Sequence, residues 1–446
     1  YALAVGSYSK ANAHMAVGIG AIAKATGSES TAVGAGSTAS GANSTALGAR
    51  NTASGLRSVA IGKDNNATAE DTIAMGKANT AAVGGAVAIG MDNVANSTLN
   101  GGRAEGNSMV AIGKANKATK EDTVAVGREN TASGNVSVAI GARTEATNSG
   151  SIAIAGNGDG YKTTSTGFGS IAIGMQSNST GTASTAVGGV AQATAKGASA
   201  LGYKANATAE SATALGQESV ASVKDGVALG SQSKATVDKG VKGFNPAETR
   251  TNKYSGLAGT AQTSTLAAVS VGDGATATRQ ITGLAAGTND TDAVNVAQLR
   301  SVNLKYAGDT GNGDVLLDDG TLKIKGDDPT FISTSADKNG VTVKAKIGAD
   351  ITNTNGKAVA PTTNGIATTD NVAKAINESG WNVVSSNNGG SVTGTQASKK
   401  VSPGDTVTLS AGKNIVLDQT DKQFTYSLNK NVDLTKDGSL TIGDTK

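Results

Sequence analysis

The sequence predicts an all-β-dominated chain, a parallel β-solenoid over residues 1–283 followed by small β-rich segments with short helices. Three observations carry this: a repeat of fourteen residues, apolar-polar alternation inside each copy, and a shortage of large side chains. Among 446 residues there are 61 Gly, 4 Phe, 1 Trp, 7 Tyr, 1 His and no Cys. Any packed interior must therefore be built in thin layers of Val, Ile, Leu and Ala, and one large globular core is excluded. Missing Cys rules out disulfide scaffolds and thiolate metal sites, and a lone His14 removes His-based triads, acid–base pairs and metal sites. The net charge of +3 is spread along the chain and gives no nucleic-acid footprint. No apolar run reaches the roughly 18 residues of a membrane-spanning helix. Hydrophobic residues make up 37% and recur at fixed spacing, which favours order over the disorder that so much Gly, Ala, Ser and Thr would otherwise suggest.

The repeat is read from Ala-[Val/Ile/Leu/Met]-Gly. Copies end at Gly6, Gly18, Gly34, Gly48, Gly62, Gly76, Gly90, Gly113, Gly127, Gly141, Gly174, Gly188, Gly202, Gly216 and Gly230, and ten of the fourteen intervals are 14 residues. The others are 12, 16, 23 and 33, with a variant copy, Ala153-Ile154-Ala155, inside the longest. Within Ser58-Val59-Ala60-Ile61-Gly62 the alternation has the period of a strand, and Asn66-Ala67-Thr68-Ala69 alternates again after a polar turn. Two short strands and two turns per coil give a flat solenoid whose coils stack at about 4.8 Å. Val59 and Ile61 facing Ala67 and Ala69 are expected to fill the interior, leaving Ala60, Ala74 and Ala88 on a small outer face that lets other chains approach. Such a coil buries too little to stand alone, so self-association about the long axis is expected.

The copies Asn43-Ser44-Thr45-Ala46-Leu47-Gly48, Arg57-Ser58-Val59-Ala60-Ile61-Gly62 and Val136-Ser137-Val138-Ala139-Ile140-Gly141 resemble the N-S-V-A-I-G repeats of YadA-like heads in trimeric autotransporter adhesins. That resemblance implies a left-handed parallel β-roll in an intertwined homotrimer, secreted by the type V route. It also implies a bacterial cell-surface location, anchored in the outer membrane through a C-terminal barrel that this chain does not contain. In the family such repeats are associated with collagen binding.

Residues 284–303 are similar to the family's neck, D-A-V-N-x-x-Q-L. Asp292 is expected to cap a helix carrying Val296 and Leu299, and by resemblance Asp292, Val294, Asn295, Val296 and Leu299 interlock three chains. In residues 304–390, Leu322-Lys323-Ile324 and Val341-Thr342-Val343 read as strands. A short helix from Thr369 to a Gly380 stop precedes Trp381 and resembles the family's Trp-ring domain, where Trp381 is expected to pack at the trimer axis. Residues 391–430, alternating in Val407-Leu409, Ile415-Leu417 and Phe424-Tyr426-Leu428, resemble its GIN domain. Residues 431–446 then begin a further stalk segment.

No catalytic, cofactor or metal site is expected. No complete G-x-G-x-x-G, P-loop or G-x-S-x-G occurs, and Asp309, Asp314, Asp318 and Asp319 miss the spacing of a calcium loop. Asn-x-[Ser/Thr] triplets such as Asn66-Ala67-Thr68 arise from the repeat itself. Breaks in the repeat are the better ligand sites, because insertions in a solenoid project from one face. They fall near 91–110, 156–169 and 238–262, and the candidate contact residues are Arg103, Glu105, Asn157, Asp159, Tyr161, Lys162 and Phe168. The alternative is the regular lateral surface, adding weak contacts by avidity.

The expected partners are other copies of the chain and a host matrix protein (collagen, fibronectin or laminin) or a host cell-surface glycoprotein. Autoagglutination or biofilm attachment is the rival within adhesion. A β-helical enzyme is the remote one, and an ice-binding ladder is disfavoured because Thr drifts between positions.

Overall fold

The computed structural model describes residues 1–97, 108–245, 257–316 and 320–443. It divides into two units, residues 1–299 and 300–446, each described by itself.

The first unit is a β-roll of two parallel sheets, one of 17 strands and one of 16, joined at every half-coil by a tight corner. The register is the repeat itself: Val59 pairs with Ile73, Ile73 with Val87, and on the second sheet Thr52 pairs with Asn66 and Asn66 with Thr80. Two intervals that look irregular in the sequence vanish here. Val5 pairs with Ile19 and Ile19 with Val33, so Gly20 rather than Gly18 occupies the corner and the spacing from Gly6 to Gly34 is regular. Gly18 instead takes the interior place of an Ala. The later breaks are true insertions, since Val87 pairs with Val110 and Ile152 with Ile171. Val269 pairs with Val227, 42 residues earlier, and the Ala268 N–H donates to the Val237 carbonyl, so the chain adds one further rung there.

The expected interior is inverted. Ala60, Ala74 and Ala88 are wholly buried against Ala67, Ala81 and Ala95, whereas Leu47, Met75, Ile140 and Leu215 are about 36–43% exposed on the outside of the first sheet. The reason is the coil length. Corners of two to five residues close a coil of fourteen, and the narrow interior is filled almost wholly by methyl, hydroxymethyl and amide groups, with Val83 and Met109 as the large apolar exceptions among the described residues. Each Gly at the end of a first-sheet strand must turn the chain with positive φ. At Gly76, with φ +118°, an added Cβ would lie 2.0 Å from the carbonyl oxygen of Gly90 in the next coil.

A buried amide ladder, not foreseen from the sequence, runs through Asn51, Asn65, Asn79, Asn93, Asn116 and Asn130. Asn79 shows its pattern. Its Nδ2 donates to the carbonyls of Met75 (2.9 Å) and Gly90 (2.8 Å) and to Asn65 Oδ1 (2.9 Å). Its own Oδ1 accepts from the backbone N–H (3.1 Å) and Nδ2 (2.9 Å) of Asn93. The coils that hold this ladder also have the longer, five-residue strands such as Val59–Lys63. Coils with Ala191 or Ala205 at the same place have three-residue strands.

The roll ends in a clasp. The Arg279 guanidinium donates to the carbonyls of Val271 (2.5 Å) and Ser231 (2.5 Å) and to Ser233 Oγ (3.1 Å), covering Gly230. Asp273 closes the preceding turn by accepting the N–H groups of Ala275, Thr276 and Ala277.

The second unit is a series of antiparallel hairpins: Asn303–Ala307 with Asn312–Leu316, Ile332–Asp337 with Gly340–Ala345, Thr352–Thr354 with Lys357–Val359, and Ile415–Thr420 with Gln423–Leu428. The helix Thr369–Glu378 starts at a Thr368–Asn371 capping box, and Trp381–Val383 pairs with Lys399–Val401. Two expected strands are absent: Leu322–Ile324 and Val407–Leu409 find no partner within one chain, and an unpaired strand leaves its backbone groups to water. Ala375 and Val401 are the buried hydrophobic residues described in this unit, so one copy has almost no core here.

Candidate adhesive surface

The roll offers two broad faces of opposite character. On the first sheet two outward columns run the length of the stack, one through Val59, Ile73, Val87 and Val110, the other through Ile61, Met75, Ile89 and Ile112. The second is apolar from Val5 to Leu229; the first is apolar from Val59 to Ile171 and carries Thr31, Thr45, Thr185, Ser199 and Thr213 on either side, so the partly exposed apolar face is broadest in the middle of the stack. Outside the second sheet the columns are polar. Thr38, Thr52, Asn66 and Thr80 stack in register, and two residues further, on the same outer side, the ladder continues through Ser40, Ser54 and Thr68, whose N–H groups donate to the next coil.

The hydroxyl column resumes at Thr166, Thr180, Thr194, Thr208 and Ser222. Ala82 and Asn96 interrupt this column, and the neighbouring one passes from Thr80 through Val94, Lys117 and Thr131 to Glu145, so Thr does drift between positions.

The break at 156–169 lies where five extra residues enter between Ile152 and Ile171. Asn157 sits in the interior, not on the surface. Its Nδ2 donates to the carbonyl of Ala142 (2.9 Å) and to Thr163 Oγ1 (3.1 Å), and its Oδ1 accepts the Gln176 N–H (3.0 Å), so it carries the polar ladder across the insertion. Asp159 reaches Arg143 (2.5 Å), which also holds Glu129 (2.8 Å); the paired guanidinium keeps both carboxyls below their ordinary range. Lys162 is paired with Glu145. Tyr161 and Phe168 are exposed, 48% and 60%, at opposite ends of the strand Thr163–Ser165, so the structure does not bring them together. Arg103 and Glu105 lie outside the described residues. Of the third break, residues 238–245 and 257–262 are described, and Gly243 N–H donates to the Gln262 carbonyl (2.6 Å).

In the neck segment Asn295, not Asp292, caps the helix Val296–Arg300. Asn295 Oδ1 accepts the Gln298 N–H (2.9 Å) and Gln298 Oε1 accepts the Asn295 N–H (3.2 Å), a capping box. Gln298 also bonds both backbone groups of Gly287. Asp292 closes the turn before the helix, where the N–H groups of Asn289 and Thr288 hold its carboxyl below the usual range. Val294, Val296 and Leu299 are each at least 60% exposed, and Trp381 is 56% exposed. Among the described residues no cluster of His, Asp or Glu is arranged to hold a metal ion, and no helix is long and apolar enough to cross a membrane.

Comparison with known families agrees with this geometry. The YadA head domain repeat matches eight stretches from residue 11 to residue 219, and the coiled stalk of trimeric autotransporter adhesin matches residues 280–321. The chain belongs to the trimeric autotransporter adhesins. No curated protein matches it. Head and stalk domains of this family are adhesive rather than enzymatic, and the family is exposed at the bacterial surface and anchored in the outer membrane. The β-helical enzyme is thereby set aside.

Proposed function

We propose that this adhesin assembles as a homotrimer through the apolar face of the first sheet and the neck residues Val294, Val296 and Leu299, with Trp381 covered at the same axis. We further propose that it holds a host matrix protein or host cell-surface glycoprotein by multivalent, non-catalytic contact. The division of the surface carries this reading. An apolar face facing other copies is withdrawn from ligands, which leaves the hydroxyl-lined face of the second sheet and the projecting 156–169 segment. In the segments 57–62 and 136–141, Ser58, Ala60, Ser137 and Ala139 are interior. Val59, Ile61, Val138 and Ile140 belong to the apolar face, so collagen contact through the repeats would have to use the opposite sheet. Exposed Tyr161, with Lys162 and Asp159 beside it, supplies an anchor of the kind that dominates protein interfaces, and repetition along three rods multiplies weak contacts.

The test is saturable binding of the purified protein to immobilised collagens, fibronectin, laminin and host-cell glycoproteins, at two salt concentrations, with bare polystyrene alongside. Saturable binding to one host protein, weakened about tenfold or more when 156–162 is cut back to a regular corner, supports a loop-borne site. Unchanged binding after that exchange moves the site to the hydroxyl face. Attachment only to itself or to plastic replaces host binding with autoagglutination.

A further inference from the structure

Over the coils from Lys63 to Lys114 the two edges of the apolar face carry net opposite charge at neighbouring heights along the roll. One edge is the corner after each first-sheet strand. There Lys63, Lys77, Met91, Lys114 and Arg128 follow one another in register. The three lysines are exposed, and none takes part in the ion pairs found among the described residues. Asp64, the acid nearest Lys63, is held by Arg50 at 2.6 Å.

The opposite edge is the corner after each second-sheet strand; Glu70–Asp71 and Glu121–Asp122 lie on it beside the lysine-bearing coils, Lys120 adjoins the second pair, and Glu29, Glu210 and Asp225 occupy the same edge further along the stack. Arg57 bridges the first pair, which leaves a net negative charge, and Asp122 is exposed. In chain order, which is also height order, Glu70–Asp71 falls between the coils of Lys63 and Lys77, and Glu121–Asp122 falls between those of Lys114 and Arg128. Where the first edge carries Ala142, the other carries Asn135–Val136 and Ser149–Gly150, and where it carries Met91 the corner below is Gly84–Gly85. Asp92 beside Met91, Arg143 beside Ala142 and Glu29 near the start of the stack have no charged counterpart of this kind, so the match belongs to the coils of Lys63, Lys77 and Lys114.

A closed ring of parallel copies about an axis along the rod brings the leading edge of one copy to the trailing edge of the next at equal height. A twofold dimer of antiparallel rolls, facing each other across an axis along the strands, would instead set like edge against like edge. We propose that the Lys63, Lys77 and Lys114 edge of one copy pairs with the Glu70–Asp71 and Glu121–Asp122 edge of a second copy of this chain, so that charge selects parallel, in-register assembly. The inference rests on the trimer reading above and adds which edges meet. Within one chain the edges stand roughly 15 Å apart, five strand residues at about 3.3 Å each. That exceeds the screening length of about 8 Å at physiological salt.

The distance makes the test specific. A zero-length carbodiimide coupling applied to the full chain joins amine to carboxyl only at contact. We expect Lys114–Glu121 and Lys77–Glu70 amides, found only in bands that run as dimers and trimers on a denaturing gel. Lys114→Glu and Glu121→Lys should each lower the urea midpoint of trimer dissociation in low salt, and the doubly exchanged chain should recover it, with all three converging in about 1 M salt. A particle that sediments as a trimer but yields neither cross-link, or whose double exchange is no better than the two single losses together, overturns the edge pairing and leaves the trimer standing. Sedimentation as a monomer overturns both.

Discussion

Replacing Asn79 by Ala removes a side chain that makes five buried hydrogen bonds, three through Nδ2 and two through Oδ1. Most of the groups it served keep another partner: Asn65 Oδ1 still accepts the residue 79 N–H, and Asn93 Nδ2 still reaches the carbonyls of Ile89 and Gly113. The Asn93 N–H has no such reserve. A buried N–H left without an acceptor costs about 1–3 kcal/mol, and each net bond lost adds about 1 kcal/mol. Coils such as that of Ala191, whose N–H turns to the Gly188 carbonyl at 3.3 Å, show the local rearrangement that recovers part of this loss. The expected net cost is about 3 kcal/mol, felt mainly in the coils on either side because a solenoid is coupled to its nearest neighbours.

Amide exchange followed by mass spectrometry reads that cost locally. Protection over residues 73–95 should fall roughly a hundredfold, since each 1.4 kcal/mol is a factor of ten, while coils near Ala207 keep theirs. Asn79→Asp should be worse than Ala, because a carboxylate would face the carbonyl oxygens of Met75 and Gly90 and the Oδ1 of Asn65 with no proton to offer. If Asp is tolerated as well as Ala, or if protection around Asn93 does not change, the ladder is not what holds these coils.

Gly76→Ala should destabilise its coil by about 3 kcal/mol or more, since it combines φ +118° with a Cβ 2.0 Å from a backbone oxygen; thermal unfolding followed by circular dichroism checks this. Val296→Asp together with Leu299→Asp should convert a particle of three times 43.5 kDa into one of 43.5 kDa in sedimentation equilibrium, and an unchanged mass would refute the neck's role.

Asp273 gives a pH test. The N–H groups of Ala277 and Ala275, then the Thr276 hydroxyl, hold its carboxyl well below the ordinary range. Its contribution is therefore full above the unfolded value of about 3.9 and is lost as pH falls through the folded value. Asp273→Asn should loosen exchange protection at residues 227–235 at pH 7, and the difference from the parent chain should close only in strong acid.

Much of the roll is legible in the sequence because its register is a count: fourteen residues, with Gly at a fixed corner. What the count cannot supply is which side of a strand is inside. Val59-Ala60-Ile61 alternates equally well in either orientation, and the usual rule that branched side chains go in fails in a narrow interior filled by small groups. The same narrowness explains the missed ladder. Asn65 and Asn79 stand in polar stretches beside turns and read as turn residues until the stacking places each amide on the next. An Asn inside an insertion, as Asn157 is, can either face solvent or continue the ladder; the sequence does not separate the two, and Thr163 and Gln176 decide for the latter. Strands at Leu322–Ile324 and Val407–Leu409 were expected from alternation alone, which identifies a sheet face but not the neighbour that must complete it.

The inverted interior also links folding to adhesion. A coil lined by Ala contributes little per rung at about 25 cal/mol per Å², so the larger apolar area, the columns through Ile61 and Val59, stays outside and reaches its full effect only against other copies. On the proposed assembly, that face cannot also hold a ligand without prying the copies apart. Selection for a new receptor is then confined to the second sheet's outward residues and to the corners, where a changed side chain or an added loop costs the stack almost nothing. The two breaks in the repeat obey this rule: the residues on either side of each, Val87 with Val110 and Ile152 with Ile171, pair as if nothing had been inserted.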